Sequence, residues 1–170
     1  EQHEAIGQRR NIEAVWYTGR MMGETLAQTI CGNKIEYKPG HWFNSAKFLD
    51  IEYQTYGWVF SEKGIQENEA YFQWKHPKDQ KCITISFDKN THQFLGINTF
   101  GIRMRHEIFD KWLTEKQSIA HVLEYLADAN FDPEFYKLHE PEIVAKFNCE
   151  NNTNILPKKK SWKRIFSKAL

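Results

Sequence analysis

Apolar residues recur at spacings of three and four between positions 12 and 30, which is the period of one face of an α-helix. Asn11 stands at the N-cap position before this stripe, and Gly32 stands where a left-handed residue commonly ends a helix. The pattern therefore predicts a long first helix that ends at Gly32. The stripe consists of Ile12, Val15, Trp16, Gly19, Met22, Gly23, Leu26, Ala27 and Ile30.

Two glycines stand four residues apart inside this predicted helix. Each of Gly19 and Gly23 costs about 1 kcal/mol relative to alanine in a helix interior. Together they form a smooth groove, so we expect a bulky group to lie against them. One explanation is tight packing on a sheet or a second helix. The other is that this helix ends a cofactor-binding domain whose sheet lies upstream of Glu1.

The periodicity changes to two after a loop that contains Pro39-Gly40. Residues 45–54 and 56–60 are rich in β-forming residues, and their alternation is irregular around Asp50, which indicates a bulge. Three clearer strands follow over 70–75, 81–87 and 93–100, and they are separated by short turns. Short turns join antiparallel neighbours, so we expect an antiparallel sheet of about four to five strands with one packed face.

Helical patterns occupy the rest of the chain. A stripe over 103–116 predicts one helix, Ser118 caps a second, Asp132-Pro133 begins a third, and Pro141 begins a fourth segment through Phe147. Strands grouped first and helices grouped afterwards indicate the α+β class. The predicted fold is an N-terminal helix, an antiparallel sheet and a C-terminal cluster of helices.

Composition limits the classes of partner and the cellular compartment that we expect for this chain. The chain has 170 residues, of which 15% are aromatic, and this is enough for one hydrophobic core. Its net charge of +1 gives no sign of a nucleic-acid partner. The isolated cysteines Cys31, Cys82 and Cys149 favour a reducing, cytoplasmic setting. There is no apolar run of bilayer length and no signal peptide. The start at Glu1 leads us to expect a fragment or an excised domain.

The C-terminal end has a different character. Asn148 to Pro157 has the composition of a linker, and Lys158–Leu170 is basic, with its apolar residues on one helical face. Such a segment is either a solvated tail or an element that contacts a partner or the surface of an anionic membrane. Peripheral membrane contact through Lys158–Leu170 is therefore one hypothesis for this segment.

The search for catalytic motifs finds none. The seven histidines lack metal-binding spacing, and no glycine-rich phosphate loop or G-x-S-x-G sequence is present. His121 and Glu124 share a helical face and could act as a base and its orienting group, although such pairs are common on helix surfaces. The residues alone predict a soluble α+β domain with no catalytic residue and no metal site.

The first helix and the segment after it resemble one family. Gly19-Arg20-Met21-Met22-Gly23-Glu24 is similar to the GR-x-x-GE helix near the end of the FAD domain in the pyridine nucleotide-disulfide oxidoreductase superfamily. Residues 42–57 resemble the start of the C-terminal domain in its ferredoxin-reductase and apoptosis-inducing-factor-like branches. In that correspondence Asn44 replaces the expected tryptophan, with Trp42 close by. The resemblance covers residues 11–100 and, by architecture, the later helices.

The resemblance implies an FAD-dependent NAD(P)H oxidoreductase that passes electrons from NAD(P)H through FAD to an unknown acceptor. It implies that the FAD and NAD(P) sites lie in upstream domains, so this chain alone is expected to be inactive and to bind neither cofactor. Lys75-His76-Pro77-Lys78 lacks the surroundings of the family's His-Pro and Glu pair, which makes disulfide reduction the less favoured reaction.

The resemblance also implies residues for contact with the flavin. Arg10, Asn11 and Ile12 would hold the positive helix N-terminus at the pyrimidine edge of the ring, where it stabilises the negative charge of reduced flavin. Trp42 and Phe43 would cover the ring and exclude water, unless they serve ordinary core packing.

Three regions and three hypotheses follow. Residues 1–32 are expected to be the terminal helix of the FAD domain, 33–148 a reductase or interface domain, and 149–170 a linker and basic tail. The first hypothesis is the C-terminal part of the oxidoreductase. The second is a non-catalytic module for homodimerisation or for docking a redox partner. The third is an independent ligand-binding protein.

Overall fold

The computed structural model describes residues 15–61, 64–131 and 137–158. The chain divides into two compact units, Glu1–Gly40 and His41–Leu170. We call these the helix unit and the sheet unit. The predicted boundaries at residues 32 and 148 remain predictions.

The described part of the helix unit contains one helix, α1 (Trp16–Ile30). Val15 is extended, so α1 begins later than the predicted start at Asn11, which itself lies outside the described residues. The predicted stop is confirmed, because Gly32 has φ +92° and the amide of Asn33 donates to the carbonyl of Gln28 over 2.9 Å.

Of the two explanations for the glycines of α1, packing on a sheet or a second helix is not seen among the described residues, and the upstream cofactor-binding domain stays a prediction. A Cβ added at Gly19 or Gly23 would meet no described atom within 4 Å. The apolar stripe of the helix is largely exposed, with Trp16 at 79% and Ile30 at 76% of full exposure. The buried side chain of α1 is instead the polar Thr18, whose hydroxyl donates to the carbonyl of Val15.

The sheet unit confirms the predicted α+β class. Its strands are β1 (Phe43–Phe48), β2 (Ile51–Gly57), β3 (Glu69–Lys75), β4 (Cys82–Asp88) and β5 (Phe94–Phe100). These five antiparallel strands lie in the order β1-β2-β5-β4-β3. Helices α2 (His106–Thr114), α3 (Ile119–Glu124), a 3₁₀ helix (Leu126–Ala129) and α4 (Glu140–Asn151) follow the sheet.

The structure corrects three details of the sequence prediction. Residues 45–54 form two strands joined at Leu49-Asp50 and not one bulged strand, because Leu49 adopts a left-handed conformation with φ 52° that reverses the chain. Residues 58–60 are not a strand. Helix α4 continues to Asn151, so the predicted linker begins inside a helix. The predicted helix start at Asp132-Pro133 lies outside the described residues.

The core lies between one face of the sheet and the helices. Strand alternation directs Ile83, Ile85 and Phe87 of β4 to this face, where Phe109 of α2 and Val144 of α4 are also buried. Ser118 caps α3 as predicted, with its side chain accepting a hydrogen bond from the amide of His121 at 3.2 Å. Burial of these apolar side chains is the main force that holds the helices on the sheet.

The link from β2 to β3 crosses the opposite face of the sheet. The amide of Trp58 donates to the carbonyl of Leu95 over 3.0 Å, and the hydroxyl of Ser86 on β4 donates to the carbonyl of Trp58. A Cβ at Gly96 would lie 2.5 Å from the nitrogen of Trp58, so only glycine permits this close crossing. The crossing fixes the backbone that holds Trp58.

Candidate functional site

The two predicted flavin-covering residues have different surroundings. Phe43 is partly buried and packs against the core, with its ring centroid 4.2 Å from that of His106 on α2. Trp42 precedes β1, and its ring lies nearly parallel to that of Trp58, with 6.0 Å between centroids. The other three predicted contact residues, Arg10, Asn11 and Ile12, lie outside the described residues.

Trp42 belongs to a set of three parallel rings, which we call the aromatic ladder: Trp42, Trp58 and Phe60. Trp58 and Phe60 lie 5.7 Å apart with an interplanar angle of 9°. All three side chains are partly exposed. The amide of Phe60 donates to the hydroxyl of Tyr71 on β3 over 3.2 Å, which anchors the end of the ladder to the sheet. The ladder provides a fixed, partly exposed surface of parallel rings.

A histidine and a carboxylate meet between the start of β1 and helix α2. The Nδ1 atom of His41 lies 3.0 Å from the Oδ1 atom of Asp110, and both side chains are partly exposed. A carboxylate at Nδ1 orients the imidazole ring and favours the tautomer that carries its proton on that nitrogen. This pair has the geometry of an oriented acid–base group.

His106 lies deeper in the same region and lacks a partner for one nitrogen. Its ring contacts Phe43 and also Tyr56, at 5.4 Å between centroids, while its buried Nδ1 atom has no hydrogen-bond partner among the described residues. Burial raises the pKa of Tyr56 to about 12, and the negative charges of Glu107 and Glu52 act in the same direction. Tyr56 is therefore a neutral hydroxyl at physiological pH and packs as part of the core.

Two more histidines meet a carboxylate on the other side of the sheet unit. One ring nitrogen each of His76 and His139 and a carboxylate oxygen of Glu142 lie within 4.8 Å of one another. Burial lowers the pKa of His139, and the positive charge of Lys81 lowers it further. His139 is therefore a neutral imidazole at physiological pH.

The hydrogen bonds of this cluster oppose metal binding. The Nδ1 atom of His76 accepts the amide of Asp79 over 2.8 Å and lies 3.5 Å from the carboxylate of the same residue. The Nε2 atom of His139 lies 3.2 Å from the ammonium of Lys81, so the proton of His139 is on Nδ1. One nitrogen of each ring is therefore already engaged by a protein group. A metal ion would have to displace these contacts to use those lone pairs.

The predicted pair of His121 and Glu124 does not form. The ring of His121 stacks on Tyr125, with 4.6 Å between centroids, and the carboxylate of Glu124 lies 2.8 Å from the ammonium of Lys158. Lys158 also donates to the hydroxyl of Tyr125 over 2.6 Å. The rest of the basic segment, 159–170, lies outside the described residues.

Sequence reasoning missed both imidazole pairings described above. His41 and Asp110 are 69 positions apart, and Lys81 and His139 are 58 apart. Neither pair has a local motif, so only the antiparallel pairing of the strands and the packing of the helices bring them together. No signal along the chain links the two members of either pair.

Comparison with known proteins supports a likeness of fold and does not assign the chain to a family. No protein-family model matches the chain, and no curated protein matches it. A solved structure to which it is similar is the NAD-dependent persulfide reductase from A. fulgidus, with a TM-score of 0.56 and 13% identity. The match covers 91% of this chain and 32% of the reductase, so the chain spans about a third of that protein's length. At this identity the likeness establishes the fold alone.

None of the helices in the described parts of the chain has the length and apolarity that crossing a bilayer requires.

Proposed function

We propose that this chain is the C-terminal part of an FAD-dependent NAD(P)H oxidoreductase, which passes electrons from NAD(P)H to an acceptor. The fold correspondence with the NAD-dependent persulfide reductase, over 91% of the chain, is the observation that supports this proposal most. FAD would supply the two-electron chemistry between the nicotinamide and the acceptor. The chain itself contributes residues that bind and shield the ring.

Trp42 is the described residue best suited to that role. Its ring is partly exposed and parallel to Trp58, so its orientation is set before any ligand arrives. A planar, oriented aromatic surface suits a planar isoalloxazine ring and excludes water from one side of it. Phe43 contributes indirectly, because its contact with His106 is part of the core. Arg10, Asn11 and Ile12 remain proposed contacts for the pyrimidine edge.

The exposed stripe of α1 is consistent with this assignment. A helix with an apolar face that includes Trp16 at 79% exposure needs a partner surface, and an upstream FAD domain would supply one. In this proposal Gly19 and Gly23 form the groove that this domain fills. The electron acceptor and the choice between NADH and NADPH are left open by these residues.

The test is the visible spectrum of the complete gene product that contains this chain. We expect the absorbance of bound oxidised flavin and its bleaching by NADH or NADPH under anaerobic conditions. Trp42→Ala should change the flavin absorbance and fluorescence, whereas Phe131→Ala, at another exposed aromatic residue, should leave both unchanged. A complete gene product that binds no flavin after reconstitution would overturn the proposal.

A non-catalytic dimerisation module is the second candidate, favoured by the position of β1 at one side of the described sheet and by its exposed hairpin. The hairpin that joins β1 and β2 exposes Phe48 at 72% and Leu49 at 80%. An edge strand with exposed apolar residues is a surface on which a second copy can pair. Analytical ultracentrifugation of the wild-type chain and of Leu49→Asp, over a range of concentrations, tests the dimerisation candidate. A concentration-dependent dimer that the substitution abolishes would support this candidate, and a monomer at all concentrations would reject it.

A further inference from the structure

A small basic pocket in the sheet unit has no place in the function proposed above. It lies where the β3–β4 turn, the end of β5 and the segment before α4 meet. Lys81, Arg103 and Lys137 line it together with the buried His139, and none of the described residues that line it is a carboxylate. We propose that this pocket binds a tetrahedral oxyanion, such as phosphate or sulfate or the phosphate group of a larger ligand.

His139 positions one of the cations. Its side chain is 4% exposed, and its Nε2 atom lies 3.2 Å from the ammonium of Lys81. An imidazole lone pair that accepts from Lys81 holds the ammonium in place. Asp79 lies 3.5 Å from the same ammonium, which leaves one N–H group for a ligand. Lys81 therefore loses less freedom on binding an anion than an unrestrained surface lysine would.

Three carboxylates pair with the cations of the pocket, and none of these three lines it. Asp79 lies 3.5 Å from Lys81, Glu52 lies 3.0 Å from Arg103, and Glu142 lies 3.4 Å from Lys137. All three carboxylates are at least one-third exposed, and exposed ion pairs contribute only about 0–1 kcal/mol. An oxyanion that contacts the three cations together can therefore compete with these separate pairs.

The backbone keeps the pocket open. Gly101 has φ +64°, and a Cβ there would lie 2.6 Å from the carbonyl oxygen of Gln80, so the site requires glycine. On the opposite wall, the side-chain amide of Asn130 donates to Glu140 over 3.0 Å, and its carbonyl accepts from Arg105 over 3.1 Å. These contacts fix both walls before any ligand binds.

The donor groups favour an anion over a cation. The three cationic side chains repel a metal ion, and the Nε2 atom of His139 is already engaged by the ammonium of Lys81. Hydrogen bonds from charged donors to phosphate oxygens are among the strongest that proteins make.

The experiment is an NMR titration of the 170-residue chain with inorganic phosphate, at neutral pH and with ionic strength held constant by KCl. We expect saturable shifts of the Gly101 and Asn130 amides and of the Arg103 guanidinium. Lys81→Gln and Lys137→Gln should each weaken binding about tenfold, which is the loss of one charged hydrogen bond. Lys111→Gln, which removes the same charge from an exposed pair with Glu115, should not weaken it.

Two results would overturn the proposal. One is that KCl alone produces the same shifts as phosphate. The other is that Lys81→Gln and Lys137→Gln bind phosphate as well as Lys111→Gln does. A parallel titration with methyl phosphate distinguishes free phosphate from the phosphate group of a larger ligand. Tighter binding of methyl phosphate than of inorganic phosphate indicates the larger ligand. None of these outcomes depends on flavin binding, so this inference and the oxidoreductase proposal can fail separately.

Discussion

Helices α1 and α2 have the same kind of apolar stripe and opposite environments. In α2 the stripe is buried, with Phe109 at 0% and Trp112 at 4% exposure. In α1 the corresponding residues face solvent, including Trp16 at 79%. The comparison shows that a 3.6-residue period indicates a helix with an apolar face and does not say what covers that face.

The sheet unit explains the difference. Strand alternation on β2, β4 and β5 presents a continuous apolar face, and α2 follows β5 closely enough in the chain to pack on it. The helix unit has one described helix, which is too little to bury its own stripe. Stability within the described residues should therefore be concentrated in the sheet unit.

Matched removal of an aromatic side chain from each helix should show the largest difference. Phe109→Ala leaves a cavity in the core and should lower the free energy of unfolding by about 3–5 kcal/mol. Trp16→Ala removes an exposed side chain and should change it by less than about 0.5 kcal/mol. Urea denaturation followed by circular dichroism measures both. Similar losses for the two variants would show that the stripe of α1 is covered in solution.

Glycine substitutions sharpen the same contrast, with opposite signs in the two units. Gly96→Ala places a Cβ against the backbone of Trp58 and should destabilise the sheet unit by about 1–3 kcal/mol. Gly19→Ala meets open space and should favour α1 by up to about 1 kcal/mol, seen as added helicity in circular dichroism. A loss of helicity in Gly19→Ala would mean that a neighbour occupies the groove.

The smallest expected effect is a pH dependence confined to the sheet unit. Backbone hydrogen bonds from Thr91 lower the pKa of Asp88 from 3.8 to about 2, and bonds from Asn68 and Asn90 act in the same direction. Because the folded pKa is the lower one, this contribution is present above pH 3.8 and is lost as the pH falls towards 2.

Thermal unfolding at several pH values measures this contribution. The wild type should lose more stability over that range than Asp88→Asn, which keeps an acceptor and has no charge to titrate. Equal pH dependence of the two proteins would contradict the hydrogen-bonded turn around Asp88.

The sequence predicts most of this fold because local patterns decide it. Alternation defined the strands 70–75, 81–87 and 93–100, and the cap at Ser118 and the stop at Gly32 follow from the chemistry of single residues. The hairpin at Leu49-Asp50 was missed because a non-glycine residue adopts φ 52°, a conformation that leucine rarely takes. No local rule predicts that choice.

The candidate sites were predicted less well, because they depend on contacts between distant residues. Trp42 was identified through the family resemblance, and its parallel contact with Trp58 depends on Gly96 and Ser86 in other strands. The pairing of Lys81 with His139 depends on where the segment before α4 meets the β3–β4 turn. Spacing along the chain contains no information on such contacts.

Amide hydrogen exchange of the 170-residue chain, with and without Phe109→Ala, tests most directly the claim that the two helices differ in what covers them. The account predicts slow exchange in β4 and β5 that Phe109→Ala accelerates strongly, and fast exchange in α1 that this substitution leaves unchanged. Exchange of α1 as slow as that of β4 and β5, and accelerated equally by Phe109→Ala, would contradict it.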